Sequence, residues 1–435
     1  MARIERRNEN PPLADDEWSP VPAITTDGRT ATFEALRNTT YRLLWLGSVL
    51  SFLAIQMQFI ARGWLAFDLT GSNKGLGAVY LSFGVPMLLF TPWGGVAADR
   101  LSKRRVLLIA QSTLAVGSTV IGLAIAFDII AYWMLLASAV VQGTAFSFLG
   151  PTRMAFTGEI VGRDLLPNAV VLQQMSMNST RIFGPSIAGV LIGVALVGVG
   201  GVYFICAGFL AGAAASTFFL PAGRGDPDRE VATPLAELRD GLRYVRSQPI
   251  VLMLILTSFA VVMVAFPYIA FLPALASDVF GVGPSGYGLL SGASAIGAVG
   301  ATFFIASRAS GPAAWRIQTI AGVFFGLGVA ALAVTPTFAL ALLVIVVAGA
   351  AASGFQSLNN ALAMRHSDLG YHGRIQSLMM LSFSGFGMAA LPLGAVADAV
   401  GLRSTMFVMG TITVGTMTVY SLARRRVLAR VPATT

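Results

Sequence analysis

Long stretches of this chain carry no charge on any face. Phe338-Val347 is one example. Cutting at charges, Gly/Pro clusters and polar turns leaves twelve apolar segments, at 42–67, 75–98, 105–126, 129–153, 167–196, 201–220, 249–276, 285–307, 315–334, 337–362, 375–397 and 404–423. A helix needs about 20 apolar residues to cross a bilayer. Lipid offers no partner to backbone N–H and C=O groups, so only helices and closed barrels span it. Barrel strands alternate apolar and polar residues over about ten positions, and these segments do not. The expected fold class is therefore an all-α polytopic membrane protein with twelve transmembrane helices. Only 11% of residues are charged and 55% are hydrophobic, against roughly a quarter charged in soluble domains.

The basic residues set the expected topology. With the N-terminus inside, 25 of the 29 Lys and Arg fall in the first tail, the 2–3, 4–5, 6–7, 8–9 and 10–11 connections, and the last tail. Only Lys74 and Arg403 fall outside, and only Arg62 and Arg181 within spans. Positive residues stay on the cytoplasmic side, so both termini are expected in the cytoplasm of a plasma (inner) membrane protein. The net charge of +9 is then a topology signal, and no nucleic-acid partner is expected. The widest internal connection, 221–248, lies at mid-chain and separates a six-helix half at 41–220 from another at 249–425. A shift of about 207 residues supports this, bringing Gly184-Pro185 onto Leu391-Pro392. Residues 233–247 read as an amphipathic helix with Thr233 as N-cap, Pro234 at the first position, and Leu235, Leu238, Leu242 and Val245 on one face. It is expected to lie on the membrane surface. Residues 1–40 and 426–435 read as cytoplasmic tails, the first polar and disordered. The single cysteine, Cys206, can form no internal disulfide.

The 2–3 connection reads Gly95-Val96-Ala97-Ala98-Asp99-Arg100-Leu101-Ser102-Lys103-Arg104-Arg105. It resembles the signature of the major facilitator superfamily, with Ala97 where Leu is usual and Ser102 where Gly is usual. Further stretches, Arg62-Gly63-Trp64 through Thr70-Gly71-Ser72, Gly150-Pro151-Thr152-Arg153, Leu166-Pro167-Asn168-Ala169 and Arg181 through Gly189, are similar to the branch containing enterobactin exporters and macrolide-efflux proteins. The similarity runs from about Phe33 to Val427. It implies two pseudo-symmetric halves around a central site that opens to each side in turn. In that frame Gly95 lets the second helix approach a neighbour. Asp99 favours the N-terminus of the eleventh helix and pairs with a cation such as Arg153. Arg100, Lys103, Arg104 and Arg105 complete a conformational-switch cluster, or else merely anchor topology.

Polar residues inside spans are the substrate-cavity candidates. On the fifth segment Gln174, Asn178 and Arg181 share one helix face with Pro185. An Arg facing lipid costs at least ~2.5 kcal/mol, so Arg181 should face an aqueous cavity or a partner. Gln58 and Arg62 on the first segment, Gln142 on the fourth, and Ser353, Gln356 and Asn360 on the tenth complete the set. Inter-helix hydrogen bonding without ligand contact is the competing reading for each Gln and Asn.

No Gly-Lys-Ser/Thr phosphate loop exists, because the only two lysines follow Asn73 and Ser102. No enzyme activity, cofactor or metal is expected; His366, His372 and Asp368 read as one solvated loop. None of the 20 acids falls at mid-membrane. Coupling to protons would therefore fall to Asp68 or Asp128 at the outer ends, or Asp99 or Glu159 at the inner. The expected activity is secondary transport by a monomer that exports a small amphipathic or apolar molecule. The alternatives are import of a small metabolite, or a non-transporting membrane scaffold or sensor.

Overall fold

The computed structural model describes residues 31–223, 234–306, 313–368 and 371–430. Among them the regular structure is entirely helical. A 3-10 turn, Ala31–Arg37, leads into α1 (Thr39–Thr70), α2 (Asn73–Arg100), α3 (Lys103–Ala126), α4 (Tyr132–Gly193) and α5 (Gly198–Phe218). After them come α6 (Pro234–Ser247), α7 (Pro249–Val264), α8 (Gly283–Ala306), α9 (Ala313–Val334), α10 (Phe338–Arg365), α11 (His372–Val400) and α12 (Leu402–Arg430). Nine helices among the described residues are long and apolar enough to cross a membrane.

Local chemistry sets the helix boundaries. Asn38 Oδ1 accepts from the N–H groups of Thr40 and Tyr41 at 3.0 and 3.2 Å and so starts α1. Gly71, at φ 56°, ends it in the left-handed region. Ser72 Oγ caps α2 by accepting from Gly75 N at 3.2 Å.

Three expectations change. The fourth and fifth apolar segments are joined by helix, so Arg153 and Glu159 lie on helix and not in a loop. A straight helix of 62 residues would reach about 93 Å, three times the hydrocarbon thickness. The break is Gly162, at φ 71° and ψ 179°, a conformation essentially reserved for glycine. The seventh segment is also discontinuous. α7 stops at Val264, a 3-10 turn covers Phe266–Ile269 and a wide turn covers Leu275–Val279. Pro267 and Pro273 each remove a helix N–H there. Thirdly, the described part of the first tail is ordered. Ala35 N donates to Asn168 Oδ1 at 3.1 Å, Tyr41 Oη to Ala169 O at 2.8 Å and Trp45 Nε1 to Leu172 O at 3.3 Å, which fastens residues 35–45 to α4. Residues 1–30 and 431–435 lie outside the described residues, whereas 426–430 continue α12.

The linker helix also docks differently from expectation. Tyr244 and Val245 of α6 are buried, but Leu242 is exposed. Tyr244 stacks on Tyr371 with centroids 3.9 Å apart and accepts from Asp368 N at 2.9 Å, while Arg374 pairs with Asp240 at 2.7 Å. α6 thus covers the junction of α10 and α11 through an aromatic and ionic face. Thr233 and the side chains of Leu235 and Leu238 lie outside the described residues.

The helices before α6 meet those after it through α2 with α11 and α4 with α8. Their hydrogen bonds, ring pair and backbone approaches gather at the end away from α6. Asp398 accepts from Ser72, Asn73 and Lys74. Tyr80 meets Phe386 edge-on at 5.3 Å. Gly189 and Gly288 touch backbone to backbone, as do Gly77 and Ala390. Small residues permit this closeness, since a Cβ at any of these glycines would strike the opposing main chain.

Candidate functional site

At the closed end, Tyr80 of α2 and Tyr287 of α8 converge over Gly63 of α1. A Cβ at Gly63 would lie 3.3 Å and 3.0 Å from their hydroxyl oxygens. Both tyrosines are buried. A glycine, the only residue without a Cβ, therefore lets two rings from opposite sides of the bundle seal its centre. Sequence reasoning missed both tyrosines. Each reads as one apolar residue among many, and only the tertiary crossing pairs them.

Directly beside this seal runs a buried polar chain. Arg62 Nη1 donates to Gln142 Oε1 at 2.6 Å, Gln142 Nε2 to Gln58 Oε1 at 2.9 Å, Gln58 Nε2 to Ser118 Oγ at 2.5 Å, and Ser118 Oγ to Leu114 O at 2.7 Å. Their exposures, 4% for Arg62, 1% for Gln142 and 3% for Gln58 and Ser118, place them inside the first set of helices. Gln58, Arg62 and Gln142 are thus brought together, but the chain they form is buried among α1, α3 and α4. Ser118 joins them unpredicted; its sequence signal was only a serine within an apolar run.

Gln174 and Arg181 on the second stretch of α4 are both exposed, and the side chain of Asn178 lies outside the described residues. On α10, Ser353, Gln356 and Asn360 are half-buried. Gln356 Oε1 and Asn360 Oδ1 are buried and have no hydrogen-bond partner among the described residues. Asn359, the neighbour that sequence reasoning passed over, is fully buried. It accepts from Gln318 at 3.1 Å and donates to Leu254 O at 3.2 Å, tying α10 to α9 and α7.

The cluster at the α6 end is built unlike the expectation. Lys103 pairs with Glu159 at 3.1 Å, bridging α3 and α4. Arg104 Nη1 donates to Leu220 O at 3.0 Å and Ser102 Oγ to Ala222 O at 2.6 Å, gripping the exit of α5. Arg100 and Arg105 are exposed. Arg153 does not take up the expected pairing with Asp99. Its three guanidinium nitrogens have no hydrogen-bond partner among the described residues, and the group lies 4.7 Å from the Phe52 ring centroid. At this end of α2 the close-approach glycine is Gly94, against the Ser147 backbone, while a Cβ at Gly95 would meet nothing within 4 Å. Asp68 and Asp128 are exposed at the closed end. His366 sits 2.9 Å from Leu362 O and packs edge-on against Trp315, and the side chain of His372 lies outside the described residues.

Nine apolar helices of bilayer length among the described residues, with polar groups held in the bundle interior, define a multispan membrane protein. Solved structures share the fold. The nucleoside transporter NupG superposes with a TM-score of 0.72 at 17% identity, covering 88% of this chain and 99% of that one. A bacterial homolog of the human lysosomal transporter Spinster, inward-facing and unoccupied, gives 0.71 at 17% identity, over 91% and 99%.

The chain belongs to the transmembrane secretion effector family of the major facilitator superfamily, whose model matches residues 30–430. It is 23% identical to the staphyloferrin A transporter of Staphylococcus aureus over 389 residues, 87% of this chain and 95% of that protein. It is 26% identical to the multidrug efflux pump Tap of Mycolicibacterium fortuitum over 362 residues, 80% and 87%. The match to the MFS-type transporter YfiS of Bacillus subtilis, 27% identical over 203 residues, spans about half of either chain, 46% and 47%. These relatives are transporters, not enzymes.

Proposed function

We propose that this protein is a secondary exporter of a small amphipathic or apolar molecule, working as a monomer by alternating access between two six-helix halves, 41–220 and 249–425. In this reading twelve helices cross the plasma membrane, and both termini and α6 lie in the cytoplasm. The observation that supports alternating access is the one-sided closure, while the outward direction rests on the multidrug efflux pump among the relatives. The interdigitated glycines Gly77, Gly189 and Gly288 and the Asp398 contacts lie at the end away from α6, which leaves the cytoplasmic end as the entrance. The exposed Gln174 and Arg181 and the unpartnered acceptors of Gln356 and Asn360 then supply the polar contacts of the path. The multidrug efflux pump and the staphyloferrin A transporter among the relatives support a small-molecule cargo. Asp99, Arg100, Lys103, Arg104 and Arg105 govern switching.

The test is a panel of amphipathic dyes and hydroxycarboxylate chelators offered to purified protein, read first as thermal stabilisation, where a ligand at 100 times its Kd adds about 2.7 kcal/mol. Hits are then assayed in proteoliposomes of known orientation. Movement from the α6 side to the other is expected. Movement only in the reverse sense supports import, and binding without movement supports a sensor.

A further inference from the structure

A cavity of about 210 Å³ opens on the flank of the bundle between α3 and α4, with Gln58, Arg62 and Tyr203 at its floor and Trp133 at its mouth. At ~30 Å³ per water-sized group it holds roughly seven such groups. Its walls are apolar, formed by Leu114, Ile121, Met134 and Val141 among others. Trp133 is 66% exposed on the membrane-facing surface.

The floor is positively charged and uncompensated. Arg62 is 4% exposed, and every donor in its polar chain points away from it, through Gln142, Gln58 and Ser118 to the carbonyl of Leu114. The chain therefore brings the guanidinium no negative charge. Arg62 Nε has no hydrogen-bond partner among the described residues, and the Tyr203 hydroxyl lies against the Arg62 guanidinium with its own proton left without an acceptor. A buried charge without a counter-ion is costly, and unsatisfied buried donors mark a missing partner.

We propose that this flank cavity is a binding site for a single-chain anionic amphiphile, whose carboxylate or phosphate head is held by Arg62 and Tyr203 and whose hydrocarbon chain leaves past Trp133 into the bilayer. The chemistry fits at each end: two donors and a fixed cation for the head, and apolar walls with an aromatic mouth for the chain. The site is separate from the Gln174 and Arg181 face and needs no assumption about transport direction. The source is a membrane lipid or a free fatty acid.

Quenching of Trp133 tests it, its share of the emission being the difference between wild type and Trp133→Phe. The probes are 9,10-dibromostearic acid, its methyl ester, and the 9,10-dibromostearoyl forms of single-chain lysophosphatidylglycerol and lysophosphatidylcholine in detergent micelles. Gly117 lines the cavity and a Cβ there meets nothing within 4 Å, so Gly117→Leu plugs the space without touching Arg62. Saturable quenching by the acid at concentrations at least tenfold below the ester is expected. Gly117→Leu should abolish it, and Arg62→Gln should erase the preference for acid over ester. A matching preference for lysophosphatidylglycerol over lysophosphatidylcholine identifies a single-chain membrane lipid as the source; preference for the acid alone identifies a free fatty acid. Equal quenching by acid and ester in wild type, or quenching unchanged in Gly117→Leu, overturns the proposal. Because Gly117→Leu leaves the polar chain intact, a folding failure of Arg62→Gln does not remove the test. Transport measured on the same preparations separates this result from the fate of the export reading.

Discussion

Asp398, near the end of α11, receives two hydrogen bonds from Asn73 at the start of α2, from the backbone N at 2.7 Å and from Nδ2 at 2.9 Å. Ser72 Oγ and Lys74 N add two more, at 2.6 and 2.9 Å. One carboxylate thus caps the N-terminus of a helix 325 residues earlier in the chain, where the helix dipole favours negative charge. Burial pushes its pKa up, but the hydrogen bonds from Ser72, Lys74 and Asn73 outweigh this and hold it below the usual carboxylate range.

Asp398→Asn should therefore loosen the closed end. With solvent screening the loss is about 1 kcal/mol, roughly a fivefold shift toward the open form. Since the closed-state pKa is depressed, the latch is complete above about pH 4, the ordinary carboxylate value, and weakens as pH falls further. Spin-label distances across α2 and α11, measured against pH in both proteins, check the size and the sign.

Gly189 and Gly288 meet where no side chain fits. Gly189→Val should fold, because the clash exists only in the closed arrangement, yet fail to close. Transport should fall at least tenfold, with labelling from the far side increased at cysteines placed near Ser285. Normal turnover in this variant would show that closure does not run through this crossing.

Lys103 and Glu159 join α3 to α4, with side-chain exposures of 9% and 31%. Either single reversal, Lys103→Glu or Glu159→Lys, should destabilise by about 1–3 kcal/mol, through a half-buried charge left unpaired. The double reversal should recover most of the melting temperature. Ligand Kd should stay within about twofold, because the bridge is remote from the Arg181 face.

Cys206 is buried and close to Ala54 O, so polar thiol reagents should not reach it. Cysteines at Gln174 and Arg181, in a background lacking Cys206, should react readily and be protected by a transported substrate. Inert thiols at both positions would remove them from the path.

Proton coupling has four candidate carriers, Asp68, Asp128, Asp99 and Glu159. Neutralising each in turn should abolish substrate-driven proton flux in liposomes for at least one. Flux that survives all four places the coupling group elsewhere, and absence of flux in wild type leaves the substrate's own gradient as the driving force.

Helix identity was legible because burial in lipid demands it. Segments such as 315–334 and 337–362 differ from α9 and α10 by at most three residues at their ends. Misreadings came where a local signal had two meanings. Arg153 was counted in the 4–5 connection, yet it and Pro151 both sit within α4, since proline is tolerated in a membrane helix when neighbours cover the freed carbonyl. Arg153, expected as the partner of Asp99, is 3% exposed above an aromatic ring. The helical spacing of Gln58 and Arg62 correctly put them on one face, but nothing local said that this face turns toward α3 and α4.

The sequence by itself determined the class: apolar segments of bilayer length, a one-sided distribution of basic residues, and the motifs shared with a transporter family. These are properties of single segments in their solvent, so they survive without knowledge of neighbours. Only the tertiary structure decided which glycines touch, that Tyr80 meets Tyr287 over Gly63, that Asp398 caps α2, and that Arg62 lies under a flank cavity. Each of these joins residues tens to hundreds of positions apart, and long-range contacts of that kind are set by how helices cross, which no local periodicity encodes.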